Sequence, residues 1–266
     1  MSVADFTTQD IQRLRQLTGA GILDCRRALT EAGGDVEEAA RLLRLWGLAG
    51  ASKRDDREAA EGAVAAVRSG DAAAVVELRC ETDFVAKSDE FVALTDELAA
   101  LVAAKGEDAV DELNDDVDRL RATLKENISV GRVRRLVAET GQVVDTYLHQ
   151  QSGRGVNAVA VVLDGGTEEL AHELAVHIAF PKPAYLSRDE VPAADIDAER
   201  ATVTEIARNE GKPEAAMEKI VEGRMNGWFK ERVLHDQSYV RDEKQTISAM
   251  LGAARIVAFA QVVIGA

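Results

Sequence analysis

Two segments contain residue types and spacings that could do chemistry, and neither has the geometry that the chemistry requires. The run His172-Glu173-Leu174-Ala175-Val176-His177 resembles a zinc-binding helix. Its histidines are five residues apart, so on a helix they point roughly 140° away from each other, whereas ligands on one face are four apart. The run Ser152-Gly153-Arg154-Gly155 resembles a dinucleotide-binding loop, but a strand is predicted after it instead of a phosphate-facing helix. We expect a hairpin turn there, and neither a metal nor a cofactor.

The rest of the sequence offers no site for covalent chemistry. It contains no Gly-x-x-x-x-Gly-Lys-Ser/Thr loop, the phosphate cradle of many nucleotide hydrolases. His149 and His235 have no partner that the sequence can assign, and no nucleophile–base pair stands out. We therefore expect a protein that acts through an interface and is not an enzyme. An acid–base pair among the many carboxylates stays open as an alternative.

The net charge and the cysteine content indicate which class of partner and which cellular compartment to expect. The net charge of −15 repels phosphate backbones, so we expect no direct nucleic-acid contact and favour a partner with a basic surface. Cys25 and Cys80 lack ligand-like spacing, which is typical of a reducing compartment. Residues 1–6 lack the basic start and apolar run of a signal peptide, and the apolar stretch Thr246–Ala266 is interrupted by glycine, arginine and glutamine. We expect a cytoplasmic protein that does not enter a membrane.

Three amphipathic helices are predicted over residues 8–48. We expect Thr8 to cap the first helix, Thr18-Gly19-Ala20-Gly21 to form the turn after it, and Asp35 to cap the third. Apolar residues at helical spacing predict the faces that pack together, namely Ile11, Leu14 and Leu17, then Ile22, Cys25 and Leu29, then Val36, Ala39, Leu42, Leu43 and Trp46. Such a small bundle is typical of a docking module.

Beyond a charged linker over Lys53–Glu58, the pattern changes to strands with intervening helices. Strands are predicted at Ala63–Arg68, Ala73–Cys80, Val130–Ala138, Val143–His149, Val156–Leu163 and Arg255–Ile264, and helices at Asp89–Ala104, Asp115–Glu126, Glu168–Phe180 and Thr246–Ala253. The acidic stretch between the first two of these helices is predicted to be a solvated loop or helix face. We divide the chain into residues 1–52, 53–141 and 142–266.

A helical hairpin is predicted over residues 193–233, with Gly211-Lys212-Pro213 at its tip. Met217, Val221, Met225 and Trp228 recur at helical spacing and predict a seam that packs on Val203 and Ile206 across the hairpin. A contact between two copies of the chain is the alternative use of this stripe.

Two segments carry a resemblance to a known family. The first is Leu14-Arg15-Gln16-Leu17-Thr18-Gly19-Ala20-Gly21-Ile22-Leu23-Asp24-Cys25-Arg26-Arg27-Ala28-Leu29, and the second is Glu77-Leu78-Arg79-Cys80-Glu81-Thr82-Asp83-Phe84-Val85-Ala86-Lys87. They resemble the two signatures of the elongation factor Ts family. Gly211-Lys212-Pro213 and Val221–Met225 are similar to its helical hairpin. Arg79 stands where that family more often has a smaller residue, and we expect it to face outward.

The resemblance implies a fold and a mechanism. The fold is α+β: an N-terminal three-helix, ubiquitin-associated-like bundle, a core of two antiparallel-sheet-and-helix subdomains, and an inserted helical hairpin. The implied function is guanine nucleotide exchange in translation elongation, in which the factor binds elongation factor Tu–GDP, promotes release of GDP and magnesium, and stabilises the nucleotide-free state until GTP binds. Thr82, Asp83, Phe84 and Val85 would form a wedge that enters the nucleotide domain of elongation factor Tu.

The same resemblance implies partner contacts outside the wedge. Arg15, Gly19 and Gly21 would help the bundle to dock, and His149 lies near a strand-end histidine that contacts the partner in that family. Without the resemblance, Thr82-Asp83-Phe84 would be interpreted as a strand end, with Asp83 as a helix cap and Phe84 as an apolar staple. A ubiquitin-associated-type module that recruits an unrelated partner stays open, as do a homodimer and a 2:2 complex.

Overall fold

Three helices near the N-terminus form a small bundle with its own core. The computed structural model describes residues 6–51 and 57–265, so residues 53–56 of the predicted linker lie outside the described part. The bundle helices are α1 (Thr8–Thr18), α2 (Ile22–Glu31) and α3 (Val36–Ala51). Their buried residues are Leu14, Cys25, Ala28, Leu29, Ala39 and Leu43. The predicted three-helix bundle is confirmed.

The helix caps follow local hydrogen-bonding chemistry. The prediction for α1 was wrong by one residue, because Thr7 and not Thr8 is its cap. The Thr7 hydroxyl accepts from the Asp10 amide at 3.3 Å, and the Asp10 carboxylate accepts from the Thr7 amide at 2.7 Å. Asp35 caps α3 as predicted, since its carboxylate accepts from the amides of Glu37 and Glu38 at 2.9 and 3.0 Å.

Two three-stranded antiparallel sheets form the centre of the molecule. The first has the order β1-β2-β3 and the second the order β4-β5-β8. The strands are β1 (Glu61–Ser69), β2 (Ala72–Cys80), β3 (Ser129–Val137), β4 (Gln142–Gln151), β5 (Arg154–Asp164) and β8 (Arg255–Val263). All six were predicted to within a few residues. Although β3 and β4 follow each other in sequence, they belong to different sheets, so the chain passes between the sheets through residues 138–141.

The two sheets pack face to face, and helices cover their outer faces. The helices are α4 (Asp83–Ala86), α5 (Asp89–Lys105) and α6 (Asn114–Leu124) beside the first sheet, and α7 (Glu168–Ala179) and α10 (Ile247–Leu251) beside the second. Alternate residues of β2 therefore meet different layers: Ala74 and Val76 pack with α5, whereas Ala73 and Val75 pack against the second sheet. Burial on both faces explains the continuous apolar run of β2.

Gly155 allows the two sheets to approach closely. A Cβ at this position of β5 would lie 2.1 Å from the Val64 carbonyl oxygen of β1, a distance that no side chain tolerates. The preceding Ser152-Gly153 forms the turn between β4 and β5, and both residues have positive φ, at 53° and 81°. The predicted hairpin turn is confirmed.

The helical hairpin consists of α8 (Ala193–Asn209) and α9 (Met217–Arg232). Met217, Val221 and Met225 are buried as predicted. Trp228 is partly buried and packs against this seam, but Phe229 is its buried fourth member. One predicted position was wrong, because Ala207 is buried where Ile206 was expected. A strict four-residue spacing keeps Phe229 on the Met225 face, and Trp228 lies at the edge, where Arg232 stacks over its ring at 4.7 Å.

The acidic stretch expected to be a solvated loop or helix face forms a 3₁₀ helix, Glu107–Leu113, and its four acidic residues are exposed, so a solvated helix face is confirmed. A ribbon of β6 (Ser238–Tyr239) and β7 (Asp242–Thr246) was not predicted from the sequence. The sequence of β7, Asp-Glu-Lys-Gln-Thr, has no apolar alternation, so periodicity could not indicate a strand. Among the helices of the described ranges, none has both the length and the apolar character needed to cross a membrane.

Candidate functional site

The most exposed apolar side chain of the second signature belongs to Phe84, whose relative exposure is 83%. It lies on the single helical turn α4, which follows directly after β2. Thr82 caps this turn, and its hydroxyl accepts from the Val85 amide at 3.4 Å. The interpretation of Asp83 as cap and Phe84 as staple was therefore wrong, since Thr82 is the cap and Phe84 is too exposed to serve as a staple.

The remaining residues of the turn hold Phe84 in this position. Val85 is half-buried and packs against the core of the first sheet, and Ala86 is buried there. Asp83 pairs with Lys87 at 2.5 Å, one helical turn further on. The hydrogen bond from Lys87 is the main reason that the pKa of the Asp83 carboxyl lies below its usual value. Asp83 thus offers a carboxylate beside an exposed aromatic ring, on an anchored turn.

The strand that precedes this turn, β2, contains a buried carboxylate. Glu77 is 1% exposed, and it accepts hydrogen bonds from the Arg132 amide and side chain at 3.0 Å. Burial by itself raises the pKa of Glu77, but the hydrogen bonds from Arg132 and Arg79 outweigh it and lower the pKa below its usual value. The prediction for Arg79 was incomplete: it is half-exposed, and its Nη2 donates to Glu77 at 3.1 Å.

The N-terminal bundle presents a second apolar surface, which the sequence analysis missed. Leu17, Ile22 and Leu23 are 65%, 56% and 79% exposed, and we call them the bundle surface. Leu17 and Ile22 had been predicted to lie in the bundle core. They lie on either side of the turn after α1, and more than half of each side chain is exposed there. Gly19 and Gly21 lie in the same turn and are also exposed, as is Arg15 on α1.

Gly19 is at the same time a contact between the bundle and the core. Its φ of 67° is the left-handed conformation that ends α1, and a Cβ there would lie 2.7 Å from Cγ2 of Thr123 on α6. Asp24 on α2 accepts from Lys125, just after α6, at 2.5 Å. The first signature therefore also contains residues that seat the bundle on α6.

The histidines occupy separate environments. His149 is exposed near the end of β4, opposite Asn157 of β5. His172 faces Asp145 at 2.8 Å, whereas His177 is fully buried and bonded to Gln237 at 3.0 Å. Burial lowers the pKa of His177, despite the opposing hydrogen bond from Gln237. These two side chains thus have different partners, as their five-residue spacing requires.

Both cysteines are buried thiols. Cys25 lies in the bundle core and Cys80 at the end of β2, where burial raises the pKa of its thiol to about 12. A thiol with such a pKa stays protonated near neutral pH and is a poor nucleophile.

These features define an α+β protein that displays exposed apolar side chains on two anchored turns, at Phe84 and on the bundle surface. A family model described as elongation factor TS matches residues 81–266. The chain is 46% identical to elongation factor Ts of Clavibacter michiganensis subsp. michiganensis, over 99% of this chain and all of that protein. It is 44% identical to elongation factor Ts of Renibacterium salmoninarum and 42% identical to that of Micrococcus luteus, with the same coverage.

The chain belongs to the elongation factor Ts family, and it is thereby a protein of translation elongation.

Proposed function

We propose that this protein is a guanine nucleotide exchange factor that binds elongation factor Tu–GDP and promotes release of GDP and magnesium. The observation that carries the proposal is the 83% exposure of Phe84 on an anchored turn. Burying such a side chain in a partner contributes about 1.5–3 kcal/mol. A ring that is held outward in the free protein can gain this free energy only when a partner covers it.

The wedge acts by favouring a displaced conformation of the partner. GDP in elongation factor Tu is held by phosphate-loop amides and a magnesium ion, and both are sensitive to small displacements. Phe84 enters a slot that exists only after displacement, while Asp83 competes for polar groups near the magnesium. Because the coupling is reciprocal, a factor that binds the empty state more tightly must loosen the nucleotide, and GTP must later displace the factor.

The burial of Phe84 alone cannot account for the whole acceleration of GDP release. Each tenfold change in affinity needs about 1.4 kcal/mol, so acceleration by several decades requires further contacts. We assign these to the bundle surface with Arg15, Gly19 and Gly21, and to the exposed sheet surface around His149. The mechanism uses binding free energy alone and makes or breaks no covalent bond, so the protein is a binding factor and not an enzyme.

The partner is elongation factor Tu, and the proposed compartment is the cytosol. The net charge of −15 favours a basic protein surface over nucleic acid, and we propose no membrane contact. A homodimer or a 2:2 complex remains an alternative to a 1:1 complex, and light scattering of the purified complex distinguishes them by mass.

The test follows release of a fluorescent GDP analogue from elongation factor Tu by stopped flow, with and without this protein. We expect strong acceleration by the wild type and a large loss with Asp83→Ala or Phe84→Ala. Phe180→Ala is the matched control, because Phe180 is 82% exposed but lies at the end of α7, outside the wedge.

The outcomes separate function from mechanism. Acceleration that survives both wedge substitutions would retain the exchange function and refute the wedge. Absence of acceleration by folded wild-type protein, with the elongation factor Tu of the same organism, would refute the function.

A further inference from the structure

The wedge turn begins where the hydrogen bonding of β2 ends. The strand stops at Cys80, and α4 is a single turn of four residues, too short to be stable alone. The exposed Phe84 ring gains no packing that would fix its direction. Besides the packing of Val85 and Ala86, its position depends on the backbone between Cys80 and Asp83 and on the groups that accept hydrogen bonds from the amides there.

One carboxylate binds the donors of this segment. Glu126 accepts from the Glu81 amide at 3.0 Å and from the Thr82 amide at 3.1 Å through one oxygen. Its other oxygen accepts from the Thr82 hydroxyl at 2.5 Å. Hydrogen bonds to an ionised carboxylate are stronger than those between neutral groups. The same hydroxyl caps α4, so Glu126 binds the residue from which the wedge turn starts.

The loop that carries Glu126 has several anchors, of which one is the side chain of Glu81 in the same segment and the others lie elsewhere. Asn127 donates from its amide to the Glu81 carboxylate at 2.6 Å and from its side chain to the Arg57 carbonyl at 2.8 Å. Ile128 is fully buried in the core of the first sheet. Lys125 has a positive φ of 59° and pairs with Asp24 of the bundle. Glu126 thus extends from an anchored loop and binds the segment that precedes α4.

We propose that Glu126 is a positioning residue for nucleotide exchange, which holds the Thr82–Phe84 turn in the orientation that enters the partner. This inference rests on the proposed exchange function. A wedge that is already ordered loses little conformational freedom when it docks. Because the wedge acts in the displaced state, loss of Glu126 lowers the maximal rate of GDP release more than it weakens formation of the initial complex.

The kinetic test measures GDP-analogue release at increasing concentrations of the full-length protein. For Glu126→Ala we expect the plateau rate to fall about tenfold, which corresponds to about 1.4 kcal/mol, with the half-saturating concentration changed by less than about twofold. Glu126→Gln keeps one acceptor oxygen and should recover part of the loss. Glu112→Ala is the matched control, because it removes an exposed carboxylate that pairs only with Lys105 among the described contacts.

A spectroscopic test separates positioning from general instability. In Glu126→Ala, the amide protons of Glu81 and Thr82 should exchange with solvent markedly faster, while those of the central strand β2 keep their protection.

A double-mutant comparison tests whether Glu126 acts through Thr82. Thr82→Val removes the hydroxyl, and it should lower the plateau rate of GDP-analogue release less in the Glu126→Ala background than in the wild type.

The results distinguish the positioning role of Glu126 from the proposed exchange function on which it rests. An unchanged plateau for Glu126→Ala, or a plateau loss accompanied by equal loss of protection throughout β2, would overturn the positioning role. Failure of the wild type to accelerate release would instead overturn the exchange function, whatever the amide protons show.

Discussion

At the scale of single residues, conformation and contact coincide at Gly19. We expect Gly19→Ala to lower the free energy of unfolding by about 2 kcal/mol, because alanine disfavours positive φ by about 1 kcal/mol and its methyl group would collide with Thr123. Urea unfolding followed by circular dichroism measures the change.

Gly33 provides a matched control for that substitution. Its φ is 64°, nearly that of Gly19, but a Cβ there would meet nothing within 4 Å. Gly33→Ala should therefore lower the free energy of unfolding only by the cost of positive φ for alanine, about 1 kcal/mol. Equal losses for the two variants would show that the added methyl group at Gly19 causes no costly collision with Thr123.

Individual residues also show where sequence reasoning reached its limit. Helical spacing correctly placed Leu14, Cys25 and Leu29 in the bundle core. It failed for Leu17 and Ile22, because periodicity shows which residues share a face but not whether a neighbouring helix extends far enough to cover it. The exposed position of Phe84 was expected only through the family resemblance, since its local pattern equally suggested a staple. Glu126 carried no local signal, because its partners lie 44 and 45 residues away.

At the scale of elements, the helical hairpin depends on a buried seam. Met225 is 2% exposed and packs among Val203, Val221 and Phe229. Met225→Ala should destabilise the protein by about 2–4 kcal/mol through lost burial and the remaining cavity. Thermal and urea unfolding provide the measurement.

Ile206→Ala tests the corrected assignment of that seam. Ile206 is exposed, so its substitution should change the free energy of unfolding by less than about 1 kcal/mol. A loss as large as that of Met225→Ala would mean that Ile206 is covered in solution, as a contact between two copies of the chain would do.

Most element boundaries could be predicted because their signals are local. Short runs rich in apolar residues gave the strands, and the turn between β1 and β2 contains Gly70, whose φ is 62°. The separation of β3 from β4 and the pairing of β5 with β8 were not available from periodicity, since consecutive strands usually pair with each other. The arrangement of the sheets depends on tertiary packing, for which the small residues of β2 and β5 are only a weak sign.

At the scale of the whole molecule, Arg132 joins the two sheets. Its side chain donates both to buried Glu77 of the first sheet and to the Val263 carbonyl of the second. Arg132→Met should cost about 3–5 kcal/mol, because it leaves a buried carboxylate with only Arg79 as a charged partner among the contacts described above. Arg134→Met, an exposed position on the same strand, should change the free energy of unfolding little. In the double variant Glu77→Gln/Arg132→Met, part of the loss should be recovered, and an undiminished loss would contradict an electrostatic origin.

The same carboxylate makes the stability of the whole fold depend on pH. Because the folded-state pKa of Glu77 lies below its unfolded value of about 4.3, its ionised form stabilises the protein fully above that value. This contribution is lost as the pH falls through the folded pKa. We expect the wild type to exceed Glu77→Gln in free energy of unfolding at pH 7, and this difference to shrink steadily below about pH 4. Urea unfolding of both proteins between pH 7 and pH 3 measures it, and taking the difference removes the contribution of the other carboxylates. A difference that is independent of pH would mean that the glutamine variant loses packing and not charge.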